Sequence, residues 1–185
     1  VDANAVAPAT TRAIGERFAR FVDGGVIGPP ARFPGTTRLY LSGADSSRIA
    51  ELWTGSAVET RVVEGDVGAA SALKMCFAAW TKGTAALLLA IRALARVEGV
   101  ELALLEEWST SLPELAAQSE RAAANNASKA WRFAGELDEI AASFAAHGLP
   151  SGFGRAASDV YERLEQFRDV GDVTVDTVVA ALLDD

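Results

Sequence analysis

The sequence contains one cysteine, one methionine and one histidine among its 185 residues. A single cysteine cannot form an internal disulfide or complete a zinc site, and unpaired thiols are normal in a reducing compartment. No charged N-terminal region is followed by a short apolar stretch and a cleavage site, so no secretory signal peptide is visible. We therefore expect a cytoplasmic protein without a bound metal.

An excess of basic charge is also lacking. The sequence has 17 Lys and Arg against 25 Asp and Glu, a net charge of −8, and no Lys/Arg cluster stands out. This disfavours a nucleic acid partner. The apolar stretch 84–91 lies between Lys82 and Arg92 and has about half of the roughly 20 residues that a membrane span requires. We expect a buried helix there and no membrane partner.

The sequence does not start with methionine, and its only methionine is Met75. Residues 1–8 read as the end of a strand followed by the start of a helix. A strand that opens at the first residue indicates a sequence that begins inside a domain.

The first 65 residues alternate helical and extended patterns. Apolar spacing predicts two helices, over 8–21 and 46–53, and three strands, over 21–28, 37–43 and 57–63. A succession of this kind is typical of part of an α/β layer. We therefore expect the α/β part to end at residue 65.

From residue 66 onward the sequence shows only helical patterns. A long helix is predicted over 67–97, and shorter helices follow over 101–108, 113–125, 128–147, 154–168 and 174–183. The fold class predicted for the whole chain is an α/β remnant followed by an all-helical domain over 66–185 with one long central helix.

The long helix carries two stripes of residues at alternating steps of three and four. The large stripe is Leu73, Phe77, Trp80, Thr84, Leu87, Ile91 and Leu94. The small stripe is Ala69, Ala72, Cys76, Ala79, Gly83, Ala86, Ala90 and Ala93. Two such faces predict a helix that is packed on several sides, with Cys76 in the core. A small domain rarely surrounds so long a helix alone, so we expect the helix to pass through a homodimer interface.

The junction before this helix resembles the lysine motif of the β-hydroxyacid dehydrogenase superfamily, which includes 3-hydroxyisobutyrate and 6-phosphogluconate dehydrogenases. The motif is G-x-x-G-x-G-x-x-x-K-x-x-x-N. Gly65, Gly68 and Lys74 match it, whereas Ala70 replaces the third glycine and Ala78 stands where the motif has asparagine.

Other segments resemble the same superfamily in the same order. Residues 2–8 are similar to the loop near the nicotinamide, residues 23–28 to the substrate loop D-A-P-V-S-G-G, and residues 35–36 to the A-G-T that follows it. Residues 73–76, 80–83, 130–133 and 148–150 resemble the helical C-terminal domain of poorly characterised 6-phosphogluconate-dehydrogenase-like proteins. The resemblance implies a partial Rossmann domain over 1–65 and a helical substrate and dimerisation domain over 66–185.

The dinucleotide fingerprint itself is missing. No G-x-G-x-x-G opens a helix, and no acidic residue lies about 20 positions beyond one. Without glycines at a helix N-terminus the pyrophosphate has no cradle. The resemblance implies NAD or NADP as cofactor of the parent protein, and we expect no cofactor to bind to this chain alone.

Lys74 is the candidate catalytic residue. Near the start of an apolar helix, burial and the positive end of the helix dipole both favour loss of a proton from its ammonium group. This suits a general acid/base that exchanges a proton with a substrate hydroxyl. The alternative interpretation is a surface lysine whose stem packs on apolar neighbours.

The resemblance implies further contacts for a small-molecule substrate. Gly25 and Gly28 belong to the substrate loop, and Thr81 and Lys82 follow Lys74 on or near the same helical face. Lys82 either holds an anionic substrate or is a charge that interrupts an apolar helix. Ile27 stands where the loop has serine and Pro29 where it has glycine, which argues against the usual small 3-hydroxy acids and leaves room for a bulkier, less polar carbonyl or hydroxyl compound.

Asn4 is the candidate cofactor contact, since it could reach the nicotinamide ribose. The alternative, which we favour for Asn4, is a helix N-cap.

The parent protein is thus predicted to be an NAD(P)-dependent oxidoreductase that transfers hydride between nicotinamide and a hydroxyl or carbonyl substrate, with this chain alone inactive. A second interpretation is a non-catalytic dimerisation or ligand-binding module that lost the cofactor domain, which Ala78, Ile27 and the missing glycine loop favour. Imine reduction on the same scaffold is a third.

Overall fold

The computed structural model describes residues 1–184. Its first part contains α1 (Pro8–Gly15), β1 (Asp23–Ile27), β2 (Thr37–Ser42), α2 (Ser46–Glu51) and β3 (Val58–Val62). The helical part consists of α3 (Ala69–Val97), α4 (Glu101–Ser111), α5 (Leu115–Asn126), α6 (Ala130–Ala145), α7 (Gly152–Glu162) and α8 (Val175–Leu183). Short 3-10 turns lie at Ala127–Lys129 and Glu165–Phe167. This order of elements is the one that the sequence predicts.

The chain divides into two compact units. The first comprises Val1–Ala78 and Glu139–Ser151, and the second comprises Ala79–Asp138 and the chain from Gly152 onward. Helices α3 and α6 each contribute residues to both units. The sequence predicts a division after residue 65 into a partial cofactor-binding domain and a substrate-binding domain. This division by function stays a prediction.

The sheet of the first unit has the order β1-β2-β3, with β1 antiparallel to β2 and β2 parallel to β3. Extended backbone at Asp2 adds a parallel bridge beside β1, where the Asp2 amide donates to the Val22 carbonyl at 3.1 Å and the Gly24 amide donates to the Asp2 carbonyl at 2.7 Å. The strand end that the sequence predicts at the first residues therefore lies against β1.

The two faces of this sheet have different roles. One face carries the apolar core of Val22, Leu39 and Leu41, against which Ile49 and Ala50 of α2 pack. Alternation along the strands places Asp23, Gly25 and Ile27 of β1 on the opposite face. That second face lies against the first turns of α3, where Gly25 approaches Ala70 and Lys74.

Helix α1 is shorter than predicted. The spacing of Ile14, Phe18 and Phe21 fits a helix to residue 21, but α1 ends at Gly15. The chain turns there and brings the ring of Phe21 to 3.1 Å from where a Gly15 Cβ would be. Phe18 then stacks on Phe21 at 6.0 Å between ring centroids and stays exposed. The apolar spacing therefore comes from a turn and not from a helical face.

Helix α3 buries a face that overlaps the small stripe only at Ala86 and Ala93, and it contains no member of the large stripe. Ala70, Met75, Ala78, Ala86 and Leu89 are buried, and the largest members of the large stripe are exposed. Cys76 is exposed too, so the prediction that it lies in the core is wrong. Among the described residues, α3 alone is long and apolar enough to cross a bilayer, a property that core helices of soluble proteins share.

The second unit has an apolar core of small and branched side chains with a few buried polar groups. Tyr161 is fully buried, its hydroxyl donates to the Lys82 carbonyl at 3.1 Å, and burial raises the pKa of that hydroxyl. Arg92 of α3 is buried as well, and it donates to Glu101 of α4 at 2.9 Å and to Ser119 of α5 at 2.9 Å. These bonds connect three helices, because a buried guanidinium requires partners.

Candidate functional site

Lys74 lies in the second turn of α3, directly against β1. A Cβ on Gly25 would lie 3.2 Å from the Lys74 Cβ and 2.8 Å from the Ala70 carbonyl oxygen. Only a glycine permits so close an approach of strand and helix. Lys74 itself is half-buried, and its ammonium group forms no hydrogen bond or ion pair with residues 1–184. The structure thus brings together two residues that the sequence singles out, Lys74 and Gly25.

The start of α3 is held by Asp23, a fully buried carboxylate at the beginning of β1. Its Oδ2 accepts from the Gly68 amide at 3.0 Å, from the Ser71 amide at 2.9 Å and from the Ser42 hydroxyl at 3.1 Å. Its Oδ1 accepts from the Ser71 hydroxyl at 2.6 Å. Free amides at a helix start require acceptors, and a negative charge there also complements the helix dipole. Asp23 therefore caps α3 from a distant strand.

Two further hydroxyls complete this network. The Ser42 hydroxyl accepts from the Ala70 amide at 3.0 Å, and the Thr11 hydroxyl of α1 lies 2.9 Å from the Ser71 hydroxyl. Gly68, one of the motif glycines, has a φ of +103° and leads into the helix. A residue with a side chain rarely adopts this conformation, which explains a glycine here. The network fixes the turn that carries Lys74.

Gly28 follows the last residue of β1 and has a structural role of its own. Its φ is +121°, and a Cβ there would lie 2.3 Å from the Thr36 carbonyl oxygen. The chain reverses through Pro29, whose carbonyl accepts from the Thr37 hydroxyl. Gly28 is required by this turn whether or not a substrate contacts it, so its role in substrate binding stays a prediction.

Asn4 lies in the exposed segment before α1. Its amide and its side-chain nitrogen both donate to Asp2 Oδ1, at 3.0 and 2.7 Å. The N-cap of α1 is Ala7, and the Ala7 amide donates to Glu139 Oε2 of α6 at 2.6 Å. The prediction that Asn4 caps the helix is therefore wrong, because the helix begins later. A contact between Asn4 and a cofactor stays a prediction.

Thr81 and Lys82 belong to the second unit, whereas Lys74 and Gly25 belong to the first. Lys82 pairs with Glu136 of α6, and its ammonium nitrogen lies 4.4 Å from the centre of the Phe133 ring. A carboxylate already neutralises the Lys82 charge. Thr81 is exposed, and its predicted contact with substrate stays untested.

Asp23 and Arg38 are residues of this region that the sequence did not single out as candidates for function. Asp23 was only one letter of the substrate-loop resemblance, and its bond to Gly68 spans 45 positions. Arg38 is a polar residue in an otherwise alternating strand, and the register pairs it with Ile27. Only that pairing shows which face of the sheet Arg38 shares.

No group of three or more His, Cys, Asp or Glu residues within 1–184 is arranged to hold a metal ion. The one turn from strand to long helix in the described chain has its amides at Gly68 and Ser71 occupied by Asp23, so they are not available to a pyrophosphate.

Part of the helical region matches a known family model. Residues 95–164 match the family described as "Domain of unknown function (DUF1932)". Curated proteins give no match.

Solved structures match almost the whole chain. A conserved hypothetical protein from Sinorhizobium meliloti 1021 aligns with 98% of this chain and 64% of its own length, at 24% identity and a TM-score of 0.76. A conserved protein of unknown function, described as structurally similar to 3-hydroxyacid dehydrogenases, aligns with 90% of this chain and 65% of its own length, at 22% identity and a TM-score of 0.70. Mycobacterium tuberculosis 3-hydroxyisobutyrate dehydrogenase with L-serine aligns with 96% of this chain and 67% of its own length, at 19% identity and a TM-score of 0.61.

The chain therefore spans 64% and 65% of the length of the first two structures. At these identities the likeness is one of fold. The chain has the fold of 3-hydroxyacid-dehydrogenase-like proteins, a small sheet followed by a mostly helical region, part of which matches the DUF1932 model. The predicted fold class and the resemblance seen in the sequence are confirmed at this level.

Proposed function

Because the chain has the fold of 3-hydroxyacid-dehydrogenase-like proteins, we propose that it is the substrate-side part of an NAD(P)-dependent oxidoreductase. In this proposal a longer protein supplies the dinucleotide-binding half, and Lys74 exchanges a proton with the substrate oxygen. The observation that carries the proposal is the position of Lys74. It is half-buried in the second turn of α3, lies against Gly25 of β1 and has no ion pair with residues 1–184.

The chemistry of this chain is then limited to proton transfer and positioning. The cofactor, when bound, supplies or accepts a hydride at the substrate carbon. Lys74 donates a proton to the carbonyl oxygen during reduction and removes it from the hydroxyl during oxidation. The Asp23 network keeps the Lys74 backbone in place, so only the Lys74 side chain has to be ordered when the substrate binds.

Replacing Lys74 by alanine tests this role in a protein that contains the nucleotide-binding half. We expect turnover to fall about a hundredfold or more, the range of a lost general acid/base. Lys129→Ala is the matched control, because Lys129 is a lysine whose ammonium only donates to the Asn125 carbonyl. Near-normal turnover in Lys74→Ala would contradict the proposal. Calorimetric titration of the 185-residue chain with NADPH should show no micromolar binding.

We also propose that α3 joins two copies of the chain. In the second unit, Trp80, Leu87 and Leu94 are 72%, 59% and 61% exposed and follow one another at steps of seven. Thr84 and Ile91 lie between them, so that the steps alternate between four and three. This spacing is the one by which two helices pack along their length, and a large exposed apolar patch marks an interaction surface.

The oligomeric state tests this second proposal. Sedimentation of the chain should give twice its mass of 19.4 kDa. The double change Trp80→Glu and Leu87→Glu should give the monomer, whereas Leu102→Glu, at a leucine that is 84% exposed on α4, should leave the dimer intact. A monomeric parent chain refutes this role of α3, and it leaves the proposal for Lys74 standing.

A further inference from the structure

Arg38 of β2 shares a sheet face with the backbone that supports Lys74. It lies directly opposite Ile27 in the antiparallel pair, and Gly25 lies opposite Tyr40 in the same register. Directly opposite residues share a face of the sheet, and so do residues two apart along a strand. Ser42, next but one after Tyr40, bonds to the Ala70 amide of α3. Arg38 therefore lies on the face that packs against α3.

The charge on Arg38 has no counterpart in the described chain. Its side chain is half-buried and forms no hydrogen bond or ion pair with residues 1–184. The nearest carboxylate by register is Glu59 of β3, which instead bonds to Arg61 at 2.7 Å. Asp23, at the other end of the face, is used by the helix amides. Two cations, Arg38 and Lys74, are thus left without an anion on one side of the sheet.

Arg38 also lies where it can compensate for the serine that the substrate loop lacks. The sequence has Ile27 where the resembled loop has a serine that binds a substrate carboxylate, and Ile27 is buried. Arg38 is the cross-strand neighbour of that very position. A guanidinium offers two parallel donors to a carboxylate or a phosphate and binds either more strongly than one hydroxyl does. Lys82, the other candidate for an anion, is already neutralised by Glu136.

We propose that Arg38 binds an anionic oxygen group of the substrate, a carboxylate or a phosphate, while Lys74 serves its hydroxyl or carbonyl. The inference rests on the proposed function and deepens it. Gly25 and Arg38 are diagonal neighbours, whose Cα atoms are about 7–8 Å apart in such pairs. The long side chains of Lys74 and Arg38 can therefore converge on the two ends of one small molecule. Arg38 then determines specificity for anionic substrates, and it binds the anion in place of the missing loop serine.

Anion binding to the 185-residue chain tests the site without any cofactor. The Nε–H signal of Arg38 is followed by NMR during titration with malonate, with inorganic phosphate and with the neutral malonamide, at constant ionic strength. We expect malonate or phosphate to shift the signal with saturation and malonamide to leave it unchanged. The anion that binds more tightly identifies the group.

Matched variants assign the effect to Arg38. Arg38→Gln should weaken anion binding about tenfold or more, as loss of a charge-assisted pair does, and Arg38→Lys should lie between that variant and the parent. Arg32→Gln removes the same charge from an exposed loop residue and should leave affinity within about twofold. Equal affinity in Arg38→Gln and the parent overturns the inference, and so does a malonamide shift as large as that of malonate.

Kinetics of the longer enzyme separate this inference from the proposed function. Arg38→Gln should raise KM for anionic substrates and change kcat little, whereas Lys74→Ala should lower kcat. An unchanged KM in Arg38→Gln, with turnover lost in Lys74→Ala, refutes the role of Arg38 and leaves the proposed function intact. Normal turnover in Lys74→Ala, with anion binding lost in Arg38→Gln, refutes the chemistry and leaves the anion site intact.

Discussion

Replacing Asp23 by alanine should destabilise the chain by about 2–6 kcal/mol. The Asp23 carboxylate accepts the Gly68 and Ser71 amides at 3.0 and 2.9 Å in a fully buried position. Each buried amide left without an acceptor costs about 1–3 kcal/mol, and these two amides are the ones that a helix cap satisfies. The Ser42 and Ser71 hydroxyls add less, because each retains a second partner.

Asp23→Asn removes the negative charge of the side chain and keeps an oxygen that can accept hydrogen bonds. Its amide oxygen can still accept both backbone amides, and its nitrogen can donate to the Ser71 hydroxyl. We expect this variant to cost about 1–2 kcal/mol, less than Asp23→Ala, since hydrogen bonds to a charged group are roughly 1 kcal/mol stronger than neutral ones. Ser158→Ala, which removes one buried hydrogen bond of 3.0 Å to the Ala134 carbonyl, is the control and should cost about 1 kcal/mol.

The assay is urea denaturation followed by circular dichroism, combined with amide hydrogen exchange. Two compact units can unfold separately, so exchange at the Gly68 and Ser71 amides is needed to locate the loss. These amides should exchange faster in Asp23→Ala, whereas amides in the middle of α3 should keep their protection. If Asp23→Ala costs no more than Ser158→Ala, the carboxylate does not hold the start of the helix, and the reasoning is wrong.

Two other predictions concern single residues. Gly25→Ala should destabilise the chain by about 1–3 kcal/mol, because its Cβ would meet the Ala70 carbonyl oxygen at 2.8 Å. Gly135→Ala has open space in α6 and should stabilise the chain by about 0.5–1 kcal/mol. Similar urea midpoints for the two variants would contradict this. The hydrogen bond from Arg96 lowers the folded-state pKa of Glu101 below its ordinary 4.5, so the unfolded chain takes up the proton first and stability falls as pH drops below about 4.5. Urea midpoints measured against pH should fall less steeply in Glu101→Gln, and parallel curves would refute the assignment.

Local patterns were sufficient to predict the elements of this chain. The alternation in β2 and the long apolar periodicity of α3 predict those elements to within a few residues, because each depends on side chains close in sequence. For helix α1, local spacing predicts an end that is six residues too late. Phe18 and Phe21 satisfy helical spacing, yet the ring of Phe21 folds back on Gly15.

The chemistry of the candidate site depends on contacts that no local pattern contains. The motif spacing points to Lys74, but the cap that holds its helix comes from Asp23, 45 residues before Gly68. Lys82 looked available for an anion until the fold placed Glu136, 54 residues away, beside it. Cys76 was predicted to lie in the core as a member of the small stripe, but α3 buries only Ala86 and Ala93 of that stripe, and Cys76 is exposed.

The two adjacent glycines of β1 restrict how this sequence can drift over generations. A Cβ at Gly24 would lie 3.0 Å from the Ala3 Cβ, and a Cβ at Gly25 would lie 2.8 Å from the Ala70 carbonyl oxygen. Every single-base change that removes a glycine codon without stopping translation adds a Cβ. Any single mutational step away from Gly25 therefore produces a steric clash, and one away from Gly24 requires Ala3 to shift by a few tenths of an ångström. The next residue, Val26, is 39% exposed and free to vary. The five residues of β1 thus include two adjacent glycines that close packing restricts and, next to them, a valine that can be replaced without loss of stability.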